Sequence, residues 1–157
     1  MITAAQKLQG KYKSGFTLIE VIIVLAILGT MVFLFATNFR QSISNQALRA
    51  SAEKFASDIR SVHIYAREVK DKKEWGIENI DDVSYMIVSG TTLDNREMVS
   101  KHKLDGDTKF SDDTLIWFVA GTGETDSGKN ISLESPYGGK IIVDVLINGV
   151  VEVGSIE

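Results

Sequence analysis

Residues 21–39 read VIIVLAILGTMVFLFATNF, a run without a single Asp, Glu, Lys or Arg. At about 1.5 Å rise per residue it is roughly 28 Å long as a helix, close to the hydrocarbon thickness of a bilayer. The run predicts a membrane span and argues against a purely cytosolic protein. Lys7, Lys11 and Lys13 precede it with no acidic residue among positions 1–15. Basic residues flanking a span stay cytoplasmic, which puts the N-terminus inside and the chain beyond Arg40 outside. An ordinary secretory signal is a poor description, because its apolar core is only ~7–15 residues long and a small-residue cleavage site follows it. Here Phe35-Ala36-Thr37-Asn38 offers no such site.

The rest of the composition narrows the chemistry. A chain of 157 residues suits one domain plus an appended element. Cysteine is absent, which excludes disulfides, thiolate chemistry and Cys-ligated metals. His63 and His102 are the two histidines, too few for a histidine-built metal site. The net charge of -4 gives no sign of a general nucleic-acid binder. No repeat or low-complexity tract appears.

Immediately before the apolar run stands Ser14-Gly15-Phe16-Thr17-Leu18-Ile19-Glu20. Glu20 lies at the head of the span, where an unpaired carboxylate costs a few kcal/mol or more, so a partner is expected. This stretch resembles the processing site of type IV prepilins and pseudopilins: a short basic leader, a Gly at the cut, then Phe-Thr-Leu-Ile-Glu opening a hydrophobic helix. The resemblance implies cleavage between Gly15 and Phe16 by a membrane-embedded prepilin peptidase, with methylation of the new amine at Phe16. It also implies that the Phe16 amine, on the same chain or a neighbouring subunit, is the partner of Glu20 in a filament. A desolvated pair of this kind acts as a register lock, since breaking it strands a charge at a cost of about 3–5 kcal/mol. The implied partners are the peptidase, other pilin or pseudopilin subunits and an inner-membrane assembly platform.

No Gly or Pro occurs between Thr30 and Trp75, so nothing ends the helix at the membrane surface. Leu48, Ala52, Phe55, Ile59, Val62, Ala66 and Val69 alternate in steps of four and three, a stripe on one helical face. The predicted helix runs from about Phe16 to about Lys70, spanning lipid first and then packing on a head. Many pilins carry a Pro about twenty residues into the mature helix. Thr37 lies near that place here, so a straighter helix, or one bent without proline, is expected.

Beyond Lys70, with Asp71-Lys72-Lys73 and Gly76 closing the helix, short β-like runs alternate with turns. Expected strands are 83–88, 109–110, 115–120, 131–133, 140–147 and 150–153. Leu115-Ile116-Trp117-Phe118-Val119 is apolar on both faces and reads as a central strand. Asn148-Gly149 signals a two-residue hairpin turn, and residues 121–128 form a polar loop. The fold class is therefore α+β: a long N-terminal helix, transmembrane in its first half and amphipathic in its second, packed on an antiparallel sheet. The domains are a leader (1–15), a transmembrane and polymerisation helix (16–39), its amphipathic continuation (40–74) and a β-rich head (75–157). The order of Ala56-Ser57-Asp58-Ile59-Arg60-Ser61, Trp75-Gly76-Ile77, a strand into Gly121-Thr122-Gly123 and a terminal hairpin resembles the pseudopilin H and minor pilin T group.

Catalytic signatures are missing from the sequence. Gly121-Thr122-Gly123-Glu124 lacks the third glycine of a dinucleotide fingerprint, and no Walker loop, HExxH or GxSxG occurs. Asp105, Asp107, Asp112 and Asp113 could gather oxygens for calcium, which major pseudopilins bind in a loop, but the spacing fits no EF-hand. The tail from Val150 to Glu157 holds two acids and no base, against nucleic-acid contact. No cofactor is expected. The sequence thus describes a non-enzymatic filament subunit, a single-pass membrane protein whose head faces the periplasm or exterior. The competing reading is a membrane-anchored binding module with the span as a mere tether.

Overall fold

A computed structural model describes residues 15–157. Positions 1–14, nearly all of the expected leader, lie outside the described residues. The fold is α+β. One helix, α1 (Leu18–Arg67), is followed by eight strands: β1 (Glu74–Asp81), β2 (Ser84–Gly90), β3 (Arg96–Lys103), β4 (Lys109–Phe110), β5 (Leu115–Phe118), β6 (Lys129–Glu134), β7 (Lys140–Val145) and β8 (Val151–Val153). By internal contacts the chain divides into two units, with the boundary between Asn38 and Phe39.

In the first unit the described side chains of α1 are exposed throughout, Ile22, Leu25, Leu28 and Phe33 among them. Among the described residues α1 is the one helix long and apolar enough to cross a membrane. Bare Ile, Leu and Phe at this density have no stable place in water; they need lipid or other chains.

The second unit contains two four-stranded antiparallel sheets, ordered β3-β2-β1-β5 and β4-β6-β7-β8. The predicted stripe holds them together: Leu48, Ala52, Phe55, Ile59, Val62 and Ala66 are fully buried, with Ala56 beside them. Phe55 keys into both sheets at once, edge-on to Tyr85 of β2 (4.9 Å) and to Phe110 of β4 (5.2 Å). Arg60 ties the helix to β8 by donating to the Val151 carbonyl (3.0 Å).

The stripe ends earlier than expected. The helix stops at Arg67, and Val69 turns left-handed (φ 52°), which swings its side chain into solvent. A turn with Asp71 and Lys72 also at positive φ follows. The Gly121 N–H reaches back to the Ala66 carbonyl (2.9 Å), satisfying one of the acceptors left open at a helix end.

Three strand expectations need correction. Gly76 does not end the helix; it lies inside β1, where a Cβ would meet Trp117 Cε3 at 2.4 Å and the Ile116 carbonyl at 2.7 Å. The residues of β5 form a sheet edge, not a centre, pairing with β1 alone. Its outward face is apolar because Trp117 lies across Gly76 and donates to Glu74 (2.7 Å). The Asn148-Gly149 turn is one residue longer than expected. Leu146 exchanges hydrogen bonds with Val150 and Gly149, and only Gly149 takes positive φ (80°), the type I turn with a glycine bulge.

The two edges of the first sheet differ. On β3 a bulge at Val99 interrupts pairing with β2, and Lys101 and Lys103 line the strand, features that discourage further strand addition. On β5, the Asn79-to-Thr114 hydrogen bond fixes the ladder phase, so Ile116 and Phe118 bond to β1. The backbone groups of Leu115 and Trp117 then face outward.

Candidate functional site at the start of the apolar helix

Thr17 is the N-cap of α1: its carbonyl accepts the first intrahelical bond, from Val21 N–H (3.3 Å). Glu20 stands three residues on. Its Oε2 accepts from both the backbone N–H and the hydroxyl of Thr17 (2.9 Å each), while the Glu20 N–H donates to Thr17 Oγ1 (3.3 Å). This is a reciprocal Thr-x-x-Glu capping box, which satisfies two N–H groups that a helix start otherwise leaves open. The carboxylate also sits at the positive end of the helix dipole.

Gly15 and Phe16 precede the helix in non-helical, exposed backbone, with Phe16 88% exposed. The backbone at the Gly15–Phe16 bond is thus exposed. Both members of the capping box lie on the C-terminal side of that bond. Sequence reasoning asked which partner Glu20 would find and overlooked Thr17, although the Thr-x-x-Glu spacing before an apolar run is itself a capping-box signal.

Other candidate groups are placed as follows. Asp105 belongs to a turn docked on the helix, its N–H donating to Ser51 Oγ (2.8 Å) and its carbonyl accepting from the same hydroxyl (3.3 Å). Among the described residues no three His, Cys, Asp or Glu side chains converge as a metal site. His63 packs on the Phe118 ring (5.4 Å) against Gly123 and Gly149, where a Cβ would meet the imidazole at 2.7 and 2.3 Å. Burial, with the nearby Arg67 charge, pushes its pKa below the ordinary histidine value.

His102 completes a row that the sequence did not reveal. Ser100 Oγ lies 3.0 Å from His102 Nε2, and His102 Nδ1 lies 3.7 Å from Asp58 Oδ2. The order of groups is that of a serine nucleophile relay, but the spacing is not. The same Asp58 oxygen accepts the Tyr85 hydroxyl at 2.6 Å, and 3.7 Å is beyond hydrogen-bond reach. Tyr85 and His102 rings stack (5.3 Å). The row clamps the edge strand β3 and β2 to the helix.

Against this geometry, a family model described as the prokaryotic N-terminal methylation motif matches residues 10–36. The match covers the Gly15–Phe16 bond, the capping box and most of the apolar run, and it supports a place among type IV pilins and pseudopilins. It does not reach the head. No curated protein and no solved structure matches the chain.

Proposed function

We propose that the protein is a structural filament subunit, a minor pilin or pseudopilin, and not an enzyme. Prepilin peptidase cuts between Gly15 and Phe16 and methylates the Phe16 amine. The mature chain then assembles with other pilin or pseudopilin subunits on an inner-membrane platform through its apolar helix, with the head outside. The observation that carries this reading is the methylation motif over residues 10–36, set on an exposed bond just ahead of a helix with a bare apolar surface.

Cleavage spares the capping box, since Thr17 and Glu20 both stay in the mature chain. A monomethylated amine remains protonated, and at Phe16 it lies one residue from the cap. Glu20 then has two kinds of donor, the Thr17 groups of its own chain and the amine of its own or a neighbouring subunit. The finer assignment to the pseudopilin H and minor pilin T group rests on element order: the helix segment, Trp75-Gly76-Ile77 in β1, β5 leading to Gly121–Gly123, and the β7–β8 hairpin.

Co-expression with a prepilin peptidase tests the reading. Intact mass should fall by residues 1–15 and rise by one methyl group, placed on Phe16 by fragmentation. Gly15→Ala should block the cut. A chain that stays whole beside an active peptidase would instead support the tethered binding module.

A further inference from the structure

The outer edge of β5 begins a strand pairing that the chain leaves unfinished. Just past β5, Val119 N–H donates to the Glu124 carbonyl and the Val119 carbonyl accepts from Gly123 N–H, both at 2.9 Å. Gly123 takes positive φ (71°), so this is a bulged antiparallel closure on the outward side of the strand. The returning chain departs one residue later, where Thr125 N–H donates to the Ile147 carbonyl (3.0 Å) in the β7–β8 connection. Trp117 and Leu115, next along the same edge, have no cross-strand partner on that side. Their outward groups share the ladder phase of Val119, and Val119 demonstrates that this edge accepts a neighbour.

A groove of about 470 Å³ adjoins the unfilled positions, with Leu115, Trp117 and Val119 in its lining. Its charged lining is Asp113, Glu124, Asp126 and Lys129, three carboxylates against one ammonium. The three acids are exposed, and among the described residues none of the four side chains joins an ion pair. An apolar lining with surplus negative charge suits side chains that combine an alkyl stem with a cationic head. An antiparallel strand laid on this edge places the residues directly opposite Leu115 and Trp117 on the same sheet face as those side chains. Alternate residues of such a strand therefore enter the groove, about 7 Å apart.

We infer that β5 takes an extended basic segment of another protein as an added antiparallel strand, with alternate lysine or arginine side chains in the groove. Main-chain bonds to Leu115 and Trp117 supply the pairing, and the surplus carboxylates favour basic residues over acidic ones. The inference concerns the head alone and goes beyond the filament reading, since it applies equally to a tethered module.

The test titrates the full chain, in non-ionic detergent, into a labelled, end-blocked peptide of alternating lysine and valine, read by fluorescence anisotropy. Saturable one-to-one binding is expected. Methylating the lysine amide nitrogens removes the N–H groups that face β5 and should abolish binding, whereas methylating the valine amides, which point away, should spare it. Replacing lysine by glutamate in the peptide should also abolish it. Glu124→Gln with Asp126→Asn should weaken binding about fivefold, the scale of exposed ion pairs. Leu115→Pro deletes an outward N–H at an edge position and should weaken binding at least as much, while the methylated peptides probe the same bonds on the unaltered chain. No saturation below about 1 mM overturns the inference, as does binding that survives methylation of the lysine amides or substitution by glutamate. Self-association of the chain that Leu115→Pro abolishes would give the edge to a second copy and likewise overturn it.

Discussion

Replacing Gly76 by alanine should weaken the head through a single methyl group. That methyl would arrive 2.4 Å from Trp117 Cε3 and 2.7 Å from the Ile116 carbonyl, well inside ordinary contact distance. Trp117 is half-buried and can swing away, giving up its hydrogen bond to Glu74. The Ile116 carbonyl cannot, because Ile77 and Ile116 are paired in the β1–β5 ladder. Relief requires the two strands to part. Overpacking of this kind costs about 1–3 kcal/mol, offset by about 0.4–1 kcal/mol from stiffening the unfolded chain. The net loss is about 1–2 kcal/mol, and with a urea slope of ~1–2 kcal/mol/M the midpoint should fall by about 1 M. Urea titration of the full chain in detergent micelles, followed by tryptophan fluorescence, reads this directly. Adding Trp117→Leu to Gly76→Ala should recover only part of the loss, since the carbonyl clash persists. A midpoint that is unchanged or raised by Gly76→Ala would refute the packing argument for this glycine.

Acid should loosen the head through His63. Burial lowers its folded pKa below the unfolded value, so the neutral ring contributes stability above about pH 6.5, lost as pH falls through the folded pKa. His63→Gln should therefore flatten the fall in urea midpoint between pH 7 and 5.5, and a parallel fall in both proteins would count against it. Alkali should act through Tyr85, whose phenol is pushed well above its ordinary pKa by burial and by Asp58. Its contribution is complete below about pH 10 and fades above it, so Tyr85→Phe should reduce stability at pH 8 and lessen the loss on going to pH 11, tracked by near-UV circular dichroism. Thr17→Val should fray the start of α1 while leaving the peptidase cut in place, seen as faster amide exchange at residues 18–21 alongside normal processing. Unchanged exchange would mean the capping box does not hold the helix start.

Much of this architecture is legible in the residues. The four-three spacing from Leu48 to Ala66 places the buried helix face correctly, because a helical period puts those six side chains on one side. Two strands escape notice for opposite reasons. Gly76 reads as a breaker, and only the Trp117 ring lying over it explains a glycine inside β1. Arg96–Lys103 lacks apolar alternation because it is a solvent-facing edge, its pairing set by β2 and not by its own side chains. Leu115–Phe118 looks central because apolarity on both faces cannot distinguish a covered strand from one whose outer face carries a tryptophan. At the helix start, Gly15, Phe16 and Glu20 stand out as a motif, and Thr17 was readable in the same seven letters.

The unlike rims of the first sheet give the head a direction. Kinked, lysine-lined β3 repels a newcomer, whereas β5 leaves the amide and carbonyl groups of Leu115 and Trp117 available. Lateral growth of this sheet is consequently favoured at β5 over β3.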